Sequence, residues 1–158
     1  MANHSVRLLA VRLSAGLCQN ARIAAKLKWR GKKASNMRVY AFDVDETLEI
    51  SNGPVKLRSL MDLRNEGHIV GLCGNWAVFC QRVAGWQHLI SFMNVGLPKD
   101  VFLAHLRQYI PADDYIMIGN VLGRTNSLGV VCGSDCSEQA ARAGWRFILE
   151  DDFAKGAR

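Results

Sequence analysis

The eleven residues 39–49, Val-Tyr-Ala-Phe-Asp-Val-Asp-Glu-Thr-Leu-Glu, constrain this chain more than any other stretch. Residues of strand-forming character end abruptly in two aspartates, Asp43 and Asp45, one residue apart. In extended backbone, neighbours two apart point to the same side. The two carboxylates therefore sit close together where the strand runs out. Such a pair repels itself unless a cation or a shared proton intervenes. A hard divalent ion with oxygen ligands resolves the conflict most simply, and Mg2+ suits a site with few protein carboxylates. The competing reading is a solvated turn after an edge strand.

A chain of 158 residues with 49% apolar content is long enough to bury one core and too apolar for general disorder. Its formal charge of +6 is unevenly spread: residues 1–36 carry eight Lys and Arg and no acid. Residues 37–158 carry twelve basic against fourteen acidic residues. The chain therefore divides into a basic N-terminal extension, 1–36, and a domain, 37–158. Three readings of the extension stand open. It is a mitochondrial-type transit peptide, a basic arm for nucleic acid or an anionic membrane surface, or an extension with no specific role. Met37 is a second candidate translation start. The odd count of five cysteines, without a classical signal peptide, points to reduced thiols in a cytosol-like compartment. Cys132 and Cys136 lack the second pair that would complete a zinc site, so ordinary buried thiols are expected. No apolar run reaches the roughly 20 residues that cross a bilayer.

Along the body, Arg38–Phe42 reads as a strand and 49–54 as a turn, from its Asn-Gly-Pro chemistry. Leu57, Leu60 and Met61 make an apolar edge for a helix over 55–66, stopped by Gly67. A second apolar strand over 68–73 lacks alternation, as a central strand covered on both faces would. The spacing predicts one long helix over 77–93, with Val78, Phe79, Val83, Trp86 and Ile90 buried. The Trp and Phe residues are expected in the core, and the lone His88 and His105 on the surface or at satisfied core positions. A helix over 100–109 and a strand over 115–119 follow. Residues 123–129 form a turn-rich loop, 137–143 a helix and 144–148 a last strand. Glu150-Asp151-Asp152 reads as a solvated acidic end.

Asp43-Val44-Asp45-Glu46-Thr47-Leu48 resembles the first motif of the haloacid dehalogenase superfamily of phosphohydrolases, Asp-x-Asp-x-Thr after an apolar strand. The resemblance runs from about residue 37 to 153. It implies that Asp43 is a nucleophile forming an aspartyl-phosphate and that Asp45 is the general acid. It places Mg2+ on the Asp43 side chain and the Asp45 backbone carbonyl. Where the family has Thr or Ser to bind a phosphate oxygen, this chain has Gly74, so phosphate would fall to the Gly74 N–H and the Asn75 amide. Lys99 resembles the family's lysine that neutralises carboxylates and phosphate. The Gly-Asp that helps hold Mg2+ is here Gly119-Asn120, which keeps a carbonyl ligand and loses the charge. The Ser-Asp-Cys-Ser-Glu-Gln-Ala-Ala-Arg-Ala-Gly-Trp stretch resembles the tail of the fourth motif. Asp135 is accordingly the expected replacement carboxylate, with an N-cap as its alternative role and Glu138 as a weaker candidate.

These readings imply a three-layer α/β/α sandwich with a mainly parallel, Rossmann-like sheet. The gaps between motifs leave no room for a large cap domain. The expected function is a Mg2+-dependent phosphomonoester hydrolase, open to a bulky phosphorylated substrate. The alternative is a catalytically weak or inactive binding module, for which Gly74 and Asn120 are the evidence, docking to nucleic acid through its basic arm.

Overall fold

The computed structural model describes residues 36–158. The readings of the basic extension fall on 1–36 and so lie outside the described residues, save for Asn36.

Five parallel strands form an open sheet in the order β3-β2-β1-β4-β5. They are β1 (Arg38–Phe42), β2 (Ile69–Leu72), β3 (Phe92–Met93), β4 (Asp114–Gly119) and β5 (Arg146–Leu149). β1 is the central strand: Phe42 pairs with Leu72 of β2 on one side and Ile118 of β4 on the other. The strand order reverses there. β2 and β3 build outward from one edge of β1, and the chain then returns to add β4 and β5 at the other. In open parallel sheets such a reversal leaves a crevice at the carboxyl ends of the strands.

The pleat of β1 explains the layers. Tyr40 and Phe42 face a core shared with Leu60 and Leu63 of α1 (Leu57–Asn65), Phe79 of α2 (Trp76–Arg82) and Phe153 of α5 (Glu150–Ala154). Val39 and Ala41 face a second core with Leu103 of α3 (Lys99–Tyr109) and Ala140 of α4 (Cys136–Arg142). Helices thus cover both faces of the sheet. Only a one-turn 3-10 helix (Glu49–Ser51) and α1 lie between β1 and β2, so no large cap domain is inserted there. Among the described residues no helix is long and apolar enough to cross a membrane.

Two expectations are corrected. The long helix over 77–93 ends at Arg82, and a 3-10 turn (Trp86–His88) and the edge strand β3 take up the rest. Val83 already leaves helical backbone, at φ −112° and ψ 102°, and Gly85 follows with φ 73°. The Ser91 and Asn94 N–H groups then donate to Val70 and Leu72 of β2, at 2.7 and 2.9 Å. The acidic end is solvated only at Asp152: Glu150 and Asp151 are 0% and 4% exposed.

Candidate active site

Asp43 follows β1 directly, and its N–H continues the ladder to Ile118 O at 2.8 Å. This puts the carboxylate at the strand-order reversal, in the floor of a cavity of about 550 Å³. Asp43 is 3% exposed. Its Oδ2 accepts from Lys99 Nζ at 2.8 Å, Cys136 Sγ at 2.9 Å and Ser134 Oγ at 3.1 Å. Its Oδ1 accepts from Val44 N at 2.9 Å. The two oxygens are therefore unlike, one crowded with donors and the other nearly bare.

Lys99 opens α3 and points back over the sheet. Burial works against its ammonium, but the Asp43 carboxylate outweighs this and raises its pKa. Cys136, buried at the start of α4, has its thiol pushed up to about 12 by burial and then by Asp43. Cys73 is raised for the same two reasons. Both thiols are therefore neutral donors or fillers here, and the four cysteines of the described residues are free.

Asp45 lines the same cavity. Its Oδ1 accepts from Ser51 Oγ at 2.7 Å and its Oδ2 from Asn75 Nδ2 at 3.1 Å. Asn75 also caps α2, its Oδ1 accepting from Val78 N. It thus holds a helix end and also reaches into the site. Gly74 lies closer to Asp43 than the sequence suggests. A Cβ there would sit 1.9 Å from Asp43 Oδ1, so the hydroxyl side chain expected at this position has no place beside the carboxylate as it stands.

Asn120 is fully buried at the end of β4. Its Nδ2 donates to the Asp45 carbonyl at 3.1 Å and to Glu46 Oε2 at 3.2 Å, and its Oδ1 accepts from Ser134 Oγ at 2.7 Å. Asp135 is elsewhere engaged: its Oδ1 accepts from Ser137 N, Ser137 Oγ and Glu138 N, which makes it the N-cap of α4. These bonds, the Ser137 hydroxyl foremost, lower its pKa. It does not line the cavity, and Glu138 pairs with Arg142 on the outer surface. The expected role of Asp135 as a metal carboxylate is therefore replaced by its alternative, because the nearest unpaired N–H groups are those of its own helix.

Three residues in the site escaped the sequence reading. Ser134 and Cys136, either side of Asp135, both reach Asp43. Glu46 has a left-handed backbone, φ 52°, uncommon for a residue with a side chain. That turn sends its carboxylate to Asn120. Its only sequence signal was its place inside the motif, beside a chain position that had lost a charge.

Among the described residues, no three of His, Cys, Asp and Glu gather in an arrangement fit to hold a metal. The oxygen donors present are the Asp43 and Glu46 carboxylates, the Asp45 carbonyl and the Asn120 amide. Two carboxylates with carbonyls and water are within what Mg2+ accepts. The amide of Asn120 presents nitrogen to Asp45 O and Glu46. Turned over, it would present oxygen there and give Ser134 Oγ a donor in exchange.

Comparison with protein-family models, with curated proteins and with solved structures finds no match to this chain.

Proposed function

We propose that the chain is a Mg2+-dependent phosphomonoesterase that works through an aspartyl-phosphate, with an open site that admits a bulky phosphorylated substrate. The observation that carries this reading is the buried Asp43–Lys99 pair, 2.8 Å apart, in one cavity with Asp45 at the reversal of strand order. Phosphoryl transfer asks little of a protein beyond alignment and neutralisation of charge.

Asp43 Oδ1, with one backbone donor, is the attacking atom, while Lys99, Ser134 and Cys136 hold Oδ2 and fix the plane of the carboxylate. As the Oδ1–P bond forms, the bond from phosphorus to the leaving oxygen breaks. The Asp45 carboxyl gives that oxygen its proton. Water then attacks phosphorus, passes a proton to Asp45, and frees inorganic phosphate and the Asp43 carboxylate. Lys99 and the Gly74 N–H neutralise and orient the phosphoryl oxygens. Asp43, the Asp45 carbonyl, Asn120 and Glu46 would hold Mg2+, which when bound supplies further positive charge beside the phosphoryl group.

A second reading, phosphate binding without turnover, is favoured by one observation: Asn120 meets the Asp45 carbonyl with a nitrogen, where the resembling family has a metal carboxylate. Hydrolysis of an aryl phosphate with added Mg2+, compared with Asp43→Asn, separates the two. The enzyme reading expects Mg2+-dependent release of phosphate that falls at least about a thousandfold in the variant. Equal activity in both proteins refutes the nucleophile assignment. Binding of phosphate with no release by the native chain supports the second reading.

A further inference from the structure

The mouth of the cavity carries a feature that the reaction does not use. Trp76, Val95 and Leu97 line it and are 38%, 69% and 48% exposed. Scattered apolar residues on a surface are ordinary, but three on the rim of one polar-floored cavity are a contact surface looking for a ligand.

The rim is also rigid. Trp76 is the first residue of α2, which Asn75 caps. The loop bearing Val95 and Leu97 is folded around Asn94, 7% exposed. Asn94 Oδ1 accepts from Gly96 N at 3.2 Å and Leu97 N at 2.9 Å, and its Nδ2 donates to Leu97 O at 2.7 Å. These bonds tie the Asn94 amide into its own loop, and Asp45 and the helix cap engage the Asn75 amide.

Charge narrows the ligand further. The charged side chains of the cavity lining are Asp43, Asp45, Glu46 and Lys99, three acids against one base. One phosphoryl group finds Lys99. Mg2+, when bound, would serve that same phosphoryl group, so a second phosphate or a carboxylate on the same molecule finds no further cation in the lining.

We propose that the site selects phosphate monoesters whose alcohol part is a flat, uncharged aromatic ring, and that Trp76 and Leu97 determine this specificity. The inference rests on the phosphomonoesterase reading. The ring lies against Trp76, with Leu97 and Val95 on the other side, while its phosphoryl group reaches Asp43. A nucleoside diphosphate or a sugar bisphosphate is disfavoured by its second phosphate, which finds no cation of its own in the lining.

The test compares 1-naphthyl phosphate with glycerol 3-phosphate, in the native chain and in Trp76→Ala and Leu97→Ser. The native chain and its variants share each ester's intrinsic reactivity, so the ratio between proteins reads the rim alone. The expected result is a rise of about tenfold in KM for the naphthyl ester in Trp76→Ala. Its kcat and the KM for glycerol 3-phosphate should move by less than about threefold. Leu97→Ser should act in the same direction and more weakly. Parallel changes for both esters, or none for either, would overturn the inference and leave the phosphomonoesterase standing. Failure of the native chain to hydrolyse either ester would overturn both.

Discussion

Asp43 and Lys99 meet at 2.8 Å with their side chains 5% and 20% exposed, an ion pair joining the end of the central strand to the start of a helix on one face of the sheet. Removing one member of a buried pair leaves the other charge without compensation. Here Val44 N, Ser134 and Cys136 remain as donors to Asp43, which softens the loss. Lys99→Met should therefore destabilise the fold by about 2 kcal/mol in urea titration. Phosphatase activity should fall about a thousandfold. Combined with Asp43→Asn, the variant should lose much less stability than the two single losses together, because the orphaned charge is gone. Strict additivity would mean that the pair is not coupled.

Gly74 leaves the space beside Asp43 Oδ1, the attacking atom under the proposed function. Any Cβ at that position comes within 1.9 Å of Asp43 Oδ1, and the atom that must yield is a side-chain oxygen rather than backbone. Gly74→Ser should therefore fold, with a melting temperature within a few degrees of the native chain, yet turn the carboxylate away from its attacking position. A misplacement of about 1 Å costs on the order of a hundredfold in rate. Steady-state kinetics beside a thermal melt make the check. Unchanged or improved turnover would show that Asp43 has a second productive rotamer and that the family's hydroxyl can be restored here.

Glu46 and Asn120 divide one task between them. If the Glu46 carboxylate is the charge that Asn120 lacks, Glu46→Gln should weaken Mg2+ binding about tenfold by titration calorimetry. Asn120→Asp should tighten it by a similar factor and restore binding in the Glu46→Gln background. Asp135→Ala should leave Mg2+ affinity unchanged and lower stability by about 1 kcal/mol, since its side chain serves only the cap. A metal affinity that follows Asp135 and ignores Glu46 would reverse this assignment.

What the sequence made legible was local or strongly patterned. β1 has the expected bounds, Arg38–Phe42, because an apolar strand that meets two carboxylates admits few other readings. The parallel order and the covering of both faces followed from strands without alternation between helical segments. The failures were decided by partners distant in sequence. Trp86 and Ile90 keep helical spacing with Val83, yet Gly85 and the free edge of β2 turned that stretch into a strand. Ser134 and Cys136 reach Asp43 across more than ninety residues of sequence. The choice between capping and metal binding for Asp135 went to the helix that starts beside it. Trp76, expected in a core, stands at the mouth of the cavity, because α2 starts right at the carboxyl end of β2.

Glu150 is a stability question rather than a catalytic one. It is fully buried, its Oε2 has no partner among the described residues, and Cys132 Sγ lies 3.9 Å from its Oε1. Burial, and then the neighbouring Asp151, raise its pKa, while Arg124 pulls weakly the other way. A carboxyl whose folded value lies above its unfolded one holds its proton longer in the native state. Stability then falls as pH rises from the unfolded value through the folded one, and the cost is complete above that window. Asp151 runs oppositely: burial raises it, but the Ser127 hydrogen bonds and Arg124 together lower it, so its contribution is present at neutral pH and lost in acid. Glu150→Gln should therefore raise stability by about 1 kcal/mol at pH 7.5, or roughly 4 °C in Tm, and have little effect at pH 4. Asp151→Asn should lower stability at pH 7.5 and converge with the native chain in acid. Melting curves of the three proteins across pH 4 to 8 make the comparison, and a Glu150→Gln effect that is constant with pH would mean that the ionised form carries no cost in this fold.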